Sequence, residues 1–186
     1  MKRNEHATVR TWVDISTRAI RSNIRVLRSA IPHNVKMMGV VKSNAYGHNI
    51  TEFALELEKC DIDALAVDSI VEALALRRAS VKAQILVLGY TMPQMLKSAI
   101  GKNILLTISS MPSLRGFLKT PAATKVPVHI KVDTGMHRQG FVQSEQNEVV
   151  KLLAESKGKI KVAGLYTHFA EAKDPHNKTF TNKQIA

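Results

Sequence analysis

Cysteine is almost missing from this sequence: Cys60 is the one cysteine in 186 residues. A single cysteine excludes an internal disulfide and a cysteine-based zinc cage. Long apolar runs are missing too, because no stretch approaches the roughly 18 consecutive apolar residues that a membrane helix needs. Met1 to Arg3 lead into polar residues and not into the apolar core of a signal peptide. We therefore expect a chain of about one domain, no membrane partner and a cytoplasmic location.

Aromatic and acidic residues are also scarce. Only 5% of the residues are aromatic, and 27 Lys and Arg residues against 15 Asp and Glu residues give a net charge of +12. A chain this basic must be considered as a nucleic-acid binder. However, the arginines at positions 18, 21, 25 and 28 recur at helical spacing opposite an apolar stripe, and no aromatic residues lie among them as a stacking platform requires. We expect a solvated helix face and no nucleic-acid partner. A small anionic ligand suits the charge equally well.

The common nucleotide and metal motifs are absent from the sequence. No G-x-G-x-x-G follows a predicted strand, and no G-x-x-x-x-G-K-[ST] occurs. The seven histidines include no H-x-x-x-H or H-E-x-x-H pair. We therefore expect neither a nucleotide fingerprint nor a metal site.

Short apolar runs of strand length alternate with longer amphipathic segments of helix length. The pattern predicts strands at 12–15, 35–42, 64–67, 84–88, 104–108, 126–132 and 160–167. It predicts helices at 17–31, 50–59, 69–79, 93–100, 111–118 and 145–156, and a last helix that begins at 177. Asn49, with Glu52 three residues later, predicts a capping box at the start of one of them.

This βα repeat indicates a parallel sheet covered by helices, either doubly wound or closed as a barrel. A complete (β/α)₈ barrel takes about 250 residues, and six strands follow the first helix here. The sequence therefore predicts an α/β fold: an incomplete (β/α)₈ TIM-type barrel with about six of its eight βα units. Because the last predicted helix has no terminating glycine, we expect the barrel to continue beyond residue 186.

Lys42 ends an apolar strand and passes into a turn that contains Tyr46. A lysine at the mouth of an apolar strand is poorly solvated, which favours the neutral amine that a Schiff-base or general-base lysine needs. Alternatively, Lys42 is a strand-end lysine whose ammonium extends to solvent. Tyr46 suits either the core, through its ring, or the binding of a phosphate, through its hydroxyl.

A second set of polar residues lies in the strand predicted at 126–132 and just after it. Its period of two puts His129, Lys131 and Asp133 on one side of the strand, and Arg138 follows in the next loop, where a guanidinium can bind a carboxylate or phosphate. The alternative is a structural Lys–Asp pair with a surface arginine.

His168 ends a third apolar strand. Alone, it would more often be a core histidine. However, Lys42, Lys131 and His168 end three different strands, with Tyr46 and Arg138 in the loops that follow, and in a barrel these ends form the face where active sites lie. Such a pocket suits an anionic cofactor and an anionic substrate.

Three segments of the sequence resemble signatures of the alanine racemase family. They are V-K-S-N-A-Y-G-H at 41–48, K-V-D-T-G-M-H-R-Q-G-F at 131–141 and Y-T-H-F-A at 166–170, in the family's order and spacing. The resemblance covers the chain from about residue 12 to its end, but only the first half of a typical member. It implies a pyridoxal 5'-phosphate enzyme, an isomerase that interconverts L-alanine and D-alanine and supplies D-alanine for peptidoglycan.

The resemblance also implies a role for each candidate residue. Lys42 would bind the cofactor covalently and act as the base for the D enantiomer, and Tyr46 would contact the cofactor phosphate. Lys131 matches a lysine that many members carry as a carbamate, which would hold Arg138 against the substrate carboxylate. His168 would lie against the cofactor ring.

The same resemblance divides the chain into three parts: a tail at 1–10, a strand at 11–15 that pairs with an absent C-terminal β domain, and the partial cofactor-binding barrel at 16–186. The second base, a tyrosine that acts across a homodimer interface, would lie outside this chain. We therefore expect these residues alone to be inactive.

Two alternatives stay open beside the alanine racemase assignment. One is a racemase of the same fold for another amino acid, such as serine or lysine, because the motifs say little about side-chain size. The other is a non-catalytic barrel protein that binds pyridoxal phosphate, which would keep Lys42 but need no substrate-binding Arg138.

Overall fold

The fold of this chain is a six-stranded, all-parallel sheet with helices between the strands. The computed structural model describes residues 10–121, 126–174, 176 and 178–186. The strands are β1 (Met38–Val40), β2 (Ala64–Val67), β3 (Gln84–Val87), β4 (Ile104–Ile108), β5 (Pro127–Lys131) and β6 (Lys161–Tyr166). Their order in the sheet is the order in the sequence, and every neighbouring pair is parallel. The predicted incomplete α/β barrel of six units is confirmed.

Seven helices accompany the strands in the described part of the chain, besides short 3₁₀ segments. They are α1 (Thr17–Ser29), α2 (Lys42–Tyr46), α3 (Ile50–Glu58), α4 (Ile70–Arg78), α5 (Met111–Lys119), α6 (Gln146–Glu155) and α7 (Thr179–Ile185). The helix predicted at 93–100 is a 3₁₀ helix, Pro93–Ala99, a form that short connections of this kind commonly take. The predicted start of the last helix, residue 177, lies outside the described residues.

Side-chain caps begin several of the helices. The hydroxyl of Ser16 accepts a hydrogen bond from Ala19 N at the start of α1, and Ser110 does the same for α5. The capping box predicted for Asn49 and Glu52 is wrong in detail, because the Asn49 side chain accepts from Thr51 N and the Glu52 carboxylate accepts no reciprocal bond from Asn49 N at the start of α3.

Alternate residues of each strand face different surroundings. Leu65 and Ile85 belong to a large core that they share with the buried faces of the helices, whereas Ala66, Leu86 and Leu105 form a small separate cluster on the other face. The sheet therefore has an outer face that packs against the helices and an inner face on which the strands' own side chains pack together. This is the layering of an open barrel and not of a doubly wound sheet.

The two outer strands carry exposed apolar side chains. Val40 of β1 is 43% exposed, and Val162 and Leu165 of β6 are 46% and 66% exposed. Among the described residues, each of these strands has a hydrogen-bonded neighbour on one side only. Residues 11–16 belong to no helix or strand, and the pairing of 11–15 with a C-terminal domain stays a prediction.

The basic face of α1 takes part in packing. Arg21 Nε donates to the buried carboxylate of Glu56 at 2.5 Å. Arg28 donates to the Asp63 carboxylate at 2.6 Å and to the carbonyls of Val35 and Asp61. Arg21 and Arg28 therefore join α1 to other segments of the chain. In the described ranges, no helix is both long and apolar enough to cross a membrane.

Candidate functional site

The carboxyl ends of the parallel strands form one edge of the sheet, and three of the candidate residues lie there. Lys42 comes two residues after β1, Lys131 is the last residue of β5, and His168 comes two residues after β6. The strand predicted at 35–42 is shorter than expected, since hydrogen-bonded strand geometry ends at Val40. Lys42 therefore does not end the strand, as the sequence indicated, but follows it as the first residue of α2.

The backbone leaves β1 through α2, which is a turn of left-handed helix. Ser43, Asn44, Ala45 and Tyr46 all have φ between 52° and 55°, a region that residues with a Cβ rarely occupy. Sequence reasoning places a turn here but not its hand, because a run of four non-glycine residues in this conformation is unfavourable. The turn is held where Asn44 Oδ1 accepts Ile50 N at 2.9 Å and where Ala45 is buried.

The ammonium group of Lys42 faces the end of the neighbouring strand. Its Nζ lies 3.8 Å from Oδ1 of Asp68, which directly follows β2, and its side chain is 32% exposed. Sequence analysis missed Asp68. Its position in the sequence could have indicated it, since Asp68 stands at the end of β2 just as Lys131 stands at the end of β5.

Lys131 is the most enclosed of the candidate residues. It is 5% exposed, its Nζ donates to Gln139 Oε1 at 3.3 Å, and it lies 5.5 Å from the centre of the Tyr166 ring. Burial lowers the pKa of Lys131, and the positive charges of Arg138 and Lys42 lower it further, against the opposing effect of Asp133.

The Lys131–Asp133 ion pair that the strand pattern left open is absent from the described residues. Asp133 turns instead to the following loop, where its Oδ1 accepts hydrogen bonds from Gly135 N at 2.9 Å and His137 N at 3.0 Å. Burial would raise the pKa of Asp133, but the backbone donors of the loop and the nearby His137 side chain outweigh it and hold the pKa low. Asp133 therefore shapes the loop that carries Arg138.

His168 and Arg138 complete the group of candidate residues. Desolvation lowers the pKa of His168, and the charges of Arg138, Lys131 and Lys42 act in the same direction. The structure thus brings Lys42, Lys131, Arg138 and His168 within electrostatic range of one another. Tyr46 is not part of this group: it is 61% exposed at the end of the left-handed turn.

Tyr166 is a further member of the site that sequence analysis passed over. Its hydroxyl lies 3.1 Å from Thr107 Oγ1, and burial raises the pKa of its phenol. It stands opposite Lys131 in the parallel register of β5 and β6. Its place in the Y-T-H-F-A segment, two residues before His168, was the available signal.

A cavity of about 540 Å³ opens beside Arg138. Its walls include Tyr90, Ser110, Asp133 and His137, so side chains from the loops after β3, β4 and β5 meet there. This volume is within the range of small-molecule sites. No group of three potential metal-ligating side chains occurs in the described part of the chain.

These residues supply some of the contacts that an anionic aldehyde cofactor needs. Lys42 offers a partly exposed amine, and Lys131 and Arg138 supply positive charge nearby. The ring of Tyr166 and the imidazole of His168 lie at the same edge of the sheet. Phosphate ligation is less complete, since Tyr46 is the one candidate and its phenol makes no hydrogen bond with the described residues.

Comparison with known proteins gives a consistent assignment. Residues 15–186 match the family described as "Alanine racemase, N-terminal domain". Alanine racemase 2 of Bacillus subtilis (strain 168) is 38% identical over 178 residues, which are 93% of this chain and 45% of that protein. An alanine racemase of Streptococcus agalactiae is 38% identical over 183 residues, 97% of this chain and 48% of that protein.

Solved structures agree with this result. An alanine racemase from Clostridium difficile 630 superposes with a TM-score of 0.85 at 34% identity, over 96% of this chain and 49% of its own. The alanine racemase of Bacillus anthracis, solved with bound L-Ala-P, gives a TM-score of 0.86 at 34% identity, over 94% of this chain and 45% of its own. The chain spans about half the length of the relatives it matches.

Proposed function

This chain belongs to the alanine racemase N-terminal domain family, and from that premise we propose that it forms the cofactor-binding part of an enzyme that interconverts L-alanine and D-alanine. The observation that carries the proposal is the meeting of Lys42, Lys131, Arg138 and His168 at one edge of the sheet. The cofactor we propose is pyridoxal 5'-phosphate, which, when bound, delocalises the negative charge left on Cα after proton removal.

Lys42 would hold the cofactor and then move a proton at the substrate Cα. Its side chain is partly exposed at the end of β1, so its amine can reach a ligand on the inner face of the sheet. Racemisation needs a proton removed from one face of Cα and returned on the other. One lysine serves one face, so we propose that the second base comes from outside this chain.

Arg138 would bind the carboxylate of the amino-acid substrate. A guanidinium can donate two parallel hydrogen bonds to a carboxylate, and Arg138 borders the cavity of about 540 Å³. We propose that Lys131 carries a carbamate. In its unmodified form Lys131 and Arg138 repel each other, whereas a carbamate would reverse that sign and hold Arg138 in place.

Two further residues would complete this half of the cofactor site. His168 would lie against the cofactor ring, where its lowered pKa favours a neutral imidazole. Tyr46 would donate to the phosphate from its exposed position. A homodimer and a cytoplasmic location, with D-alanine passing to peptidoglycan, complete the proposal and rest on the family resemblance.

Reductive trapping tests the assignment of Lys42. The chain is mixed with pyridoxal phosphate and reduced with borohydride, and the pyridoxyl-lysine is located by peptide mass mapping. We expect the adduct predominantly on Lys42, and its loss in Lys42→Arg. Lys36→Arg, which changes an exposed lysine just before β1, is the matched control. Label scattered over many lysines would contradict the proposal.

Replacing Arg138 distinguishes a racemase from a non-catalytic cofactor binder. In the assembled enzyme, we expect Arg138→Ala to raise the KM for the amino acid strongly, because a charge-assisted pair with the substrate is lost. Arg138→Lys should restore the charge but not the two-point geometry. An unchanged KM would favour the non-catalytic alternative.

A further inference from the structure

We propose that Glu72 is a positioning residue for Lys42. In this hypothesis its carboxylate joins the lysine-bearing turn to the neighbouring βα loop and so fixes where Lys42 stands relative to β2. The inference deepens the proposed function, because it rests on Lys42 as the cofactor lysine.

The contacts of Glu72 span two loops that are far apart in sequence. Its Oε1 accepts a hydrogen bond from Ser43 N at 2.7 Å, in the turn after β1. Its Oε2 accepts from Asp68 N at 2.8 Å and from Ser69 N at 3.2 Å, in the loop after β2. Both oxygens of one carboxylate are therefore used, one for each loop.

Part of this arrangement is an ordinary helix cap. Ser69 Oγ accepts from Glu72 N at 3.2 Å, and Glu72 Oε2 accepts from Ser69 N in return, which is the reciprocal pattern of a capping box. A capping box does not require a bond to a second loop. The bond from Ser43 N is additional, and it reaches the residue directly after Lys42.

The turn after β1 needs such a restraint. Its four consecutive residues with positive φ are held only if the surroundings oppose relaxation to a right-handed or extended backbone. Asn44 and Ala45 fasten the middle of the turn through the Ile50 N bond and through burial. Glu72 fastens the end next to Lys42.

The same two βα loops also carry the Lys42–Asp68 ion pair. The backbone N–H of Asp68 is held by Glu72, while its carboxylate lies 3.8 Å from Lys42 Nζ. Glu72 thus restrains the backbone on both sides of that pair. It acts through the residues that it holds and is not placed to touch the substrate.

Hydrogen exchange on the purified chain tests the restraint without any cofactor. The variants are Glu72→Gln, which can accept through one oxygen only, and Glu72→Asp, which keeps the charge but is one methylene shorter. Ser69→Ala is the matched control, because it removes a cap of α4 but leaves the Glu72–Ser43 bond. Thermal unfolding of all variants checks that they are folded.

We expect exchange of peptides covering 42–48 to be about tenfold faster in both Glu72 variants, the factor that corresponds to the loss of one charge-assisted hydrogen bond. In Ser69→Ala, faster exchange should be confined to the start of α4. Equal exchange at 42–48 in wild type and both Glu72 variants would overturn the inference.

Reductive trapping with pyridoxal phosphate supplies the second readout. We expect the share of label on Lys42 to fall about tenfold in Glu72→Gln, since displacement of a reacting group by about an ångström has effects of this size or larger, and to persist in Ser69→Ala. Faster exchange with unchanged Lys42 labelling would overturn the positioning role. If wild type itself is not labelled at Lys42, the proposed function fails, and exchange alone then decides whether Glu72 holds the turn.

Discussion

Gly164 leaves room for the imidazole of His129 on the inner face of the sheet. The two residues are paired in the register of β5 and β6, and a Cβ at position 164 would lie 2.8 Å from the His129 ring. The ring of His129 is also inclined to that of Tyr166, with 6.2 Å between their centres. His129 therefore fills the layer beneath Lys131, two residues along the same strand.

Gly164→Ala should destabilise the chain by about 1–3 kcal/mol, because the added methyl overpacks this contact. Urea unfolding measures the change in free energy. The double variant Gly164→Ala/His129→Ala should lose less than the sum of the single variants, since the clash is removed. Gly116→Ala, in α5 with the nearest atom 3.5 Å away, is the control and should be neutral or stabilising. Additive losses would contradict the clash.

Burial of His129 predicts a loss of stability in acid. Burial lowers the pKa of His129 in the folded chain, while the unfolded chain keeps a value of about 6.5. The unfolded state therefore binds more protons as the pH falls through about 6.5, so the free energy of unfolding decreases there, by at most about 1.4 kcal/mol per pH unit for this group. The lowered pKa of His168 acts in the same direction.

Urea unfolding between about pH 7.5 and pH 5 measures this slope. His129→Gln should flatten it, because the variant has no imidazole to protonate at that position. His33→Gln changes an exposed histidine and should leave the slope in place. A His129→Gln profile as steep as that of wild type would contradict the argument.

At the scale of elements, Arg77 ties α4 to the amino ends of β3 and β4. Its guanidinium donates to four carbonyl groups at distances of 2.6 to 2.8 Å, those of Val81, Ala83, Lys102 and Asn103. These loops lie at the opposite end of the strands from Lys42. The contact therefore belongs to the stability of the fold and not to the site.

Arg77→Lys should reduce the free energy of unfolding by about 2 kcal/mol or more, because an ammonium cannot reproduce the fork of donors. Urea unfolding measures the loss. Arg78→Lys, at the exposed neighbouring position, should change stability by less than about 0.5 kcal/mol. Since the site is at the other end of the sheet, trapping at Lys42 should persist in folded Arg77→Lys; its loss would contradict this separation.

The elements themselves were largely predictable, because hydrophobic period and turn residues report them directly. The strands at 64–67 and 104–108 have the predicted bounds. Hydrogen-bond partners were not predictable in the same way. Asn49-x-x-Glu52 and Ser69-x-x-Glu72 both fit a capping box, and only the second forms one. Ser69 has the extended backbone that is typical of an N-cap, whereas Asn49 has a positive φ of 66°.

The candidate site shows the same limit. Lys42, Lys131 and His168 could be placed at one edge because strand direction fixes it. The direction of the Asp133 side chain could not be predicted, because strand geometry ends at Lys131 and backbone amides of the loop donate hydrogen bonds to the carboxylate. The exposure of Tyr46 could not be predicted either, because hydrophobic periodicity carries no information about the hand of a turn.

At the scale of the whole molecule, the outer strands predict association of the purified chain. Unpaired strand edges and exposed apolar side chains such as Val162 and Leu165 promote contacts between chains. We expect size-exclusion chromatography to give species larger than the 20.6 kDa monomer. Val162→Lys/Leu165→Lys should shift the protein towards the monomer, whereas Val150→Lys, at an exposed position on α6, should not. A sharp monomer peak for wild type would contradict this expectation.

The strand order has a consequence for how the chain can fold during synthesis. Each strand pairs with the one before it in sequence, so every new βα unit that leaves the ribosome finds its neighbour already made. Domains whose partners are synthesised first can fold progressively from the N-terminus, and short sequence separations between paired strands keep loop closure fast. The sheet can therefore grow one strand at a time, and the strand most recently added is at each stage the open edge that receives the next.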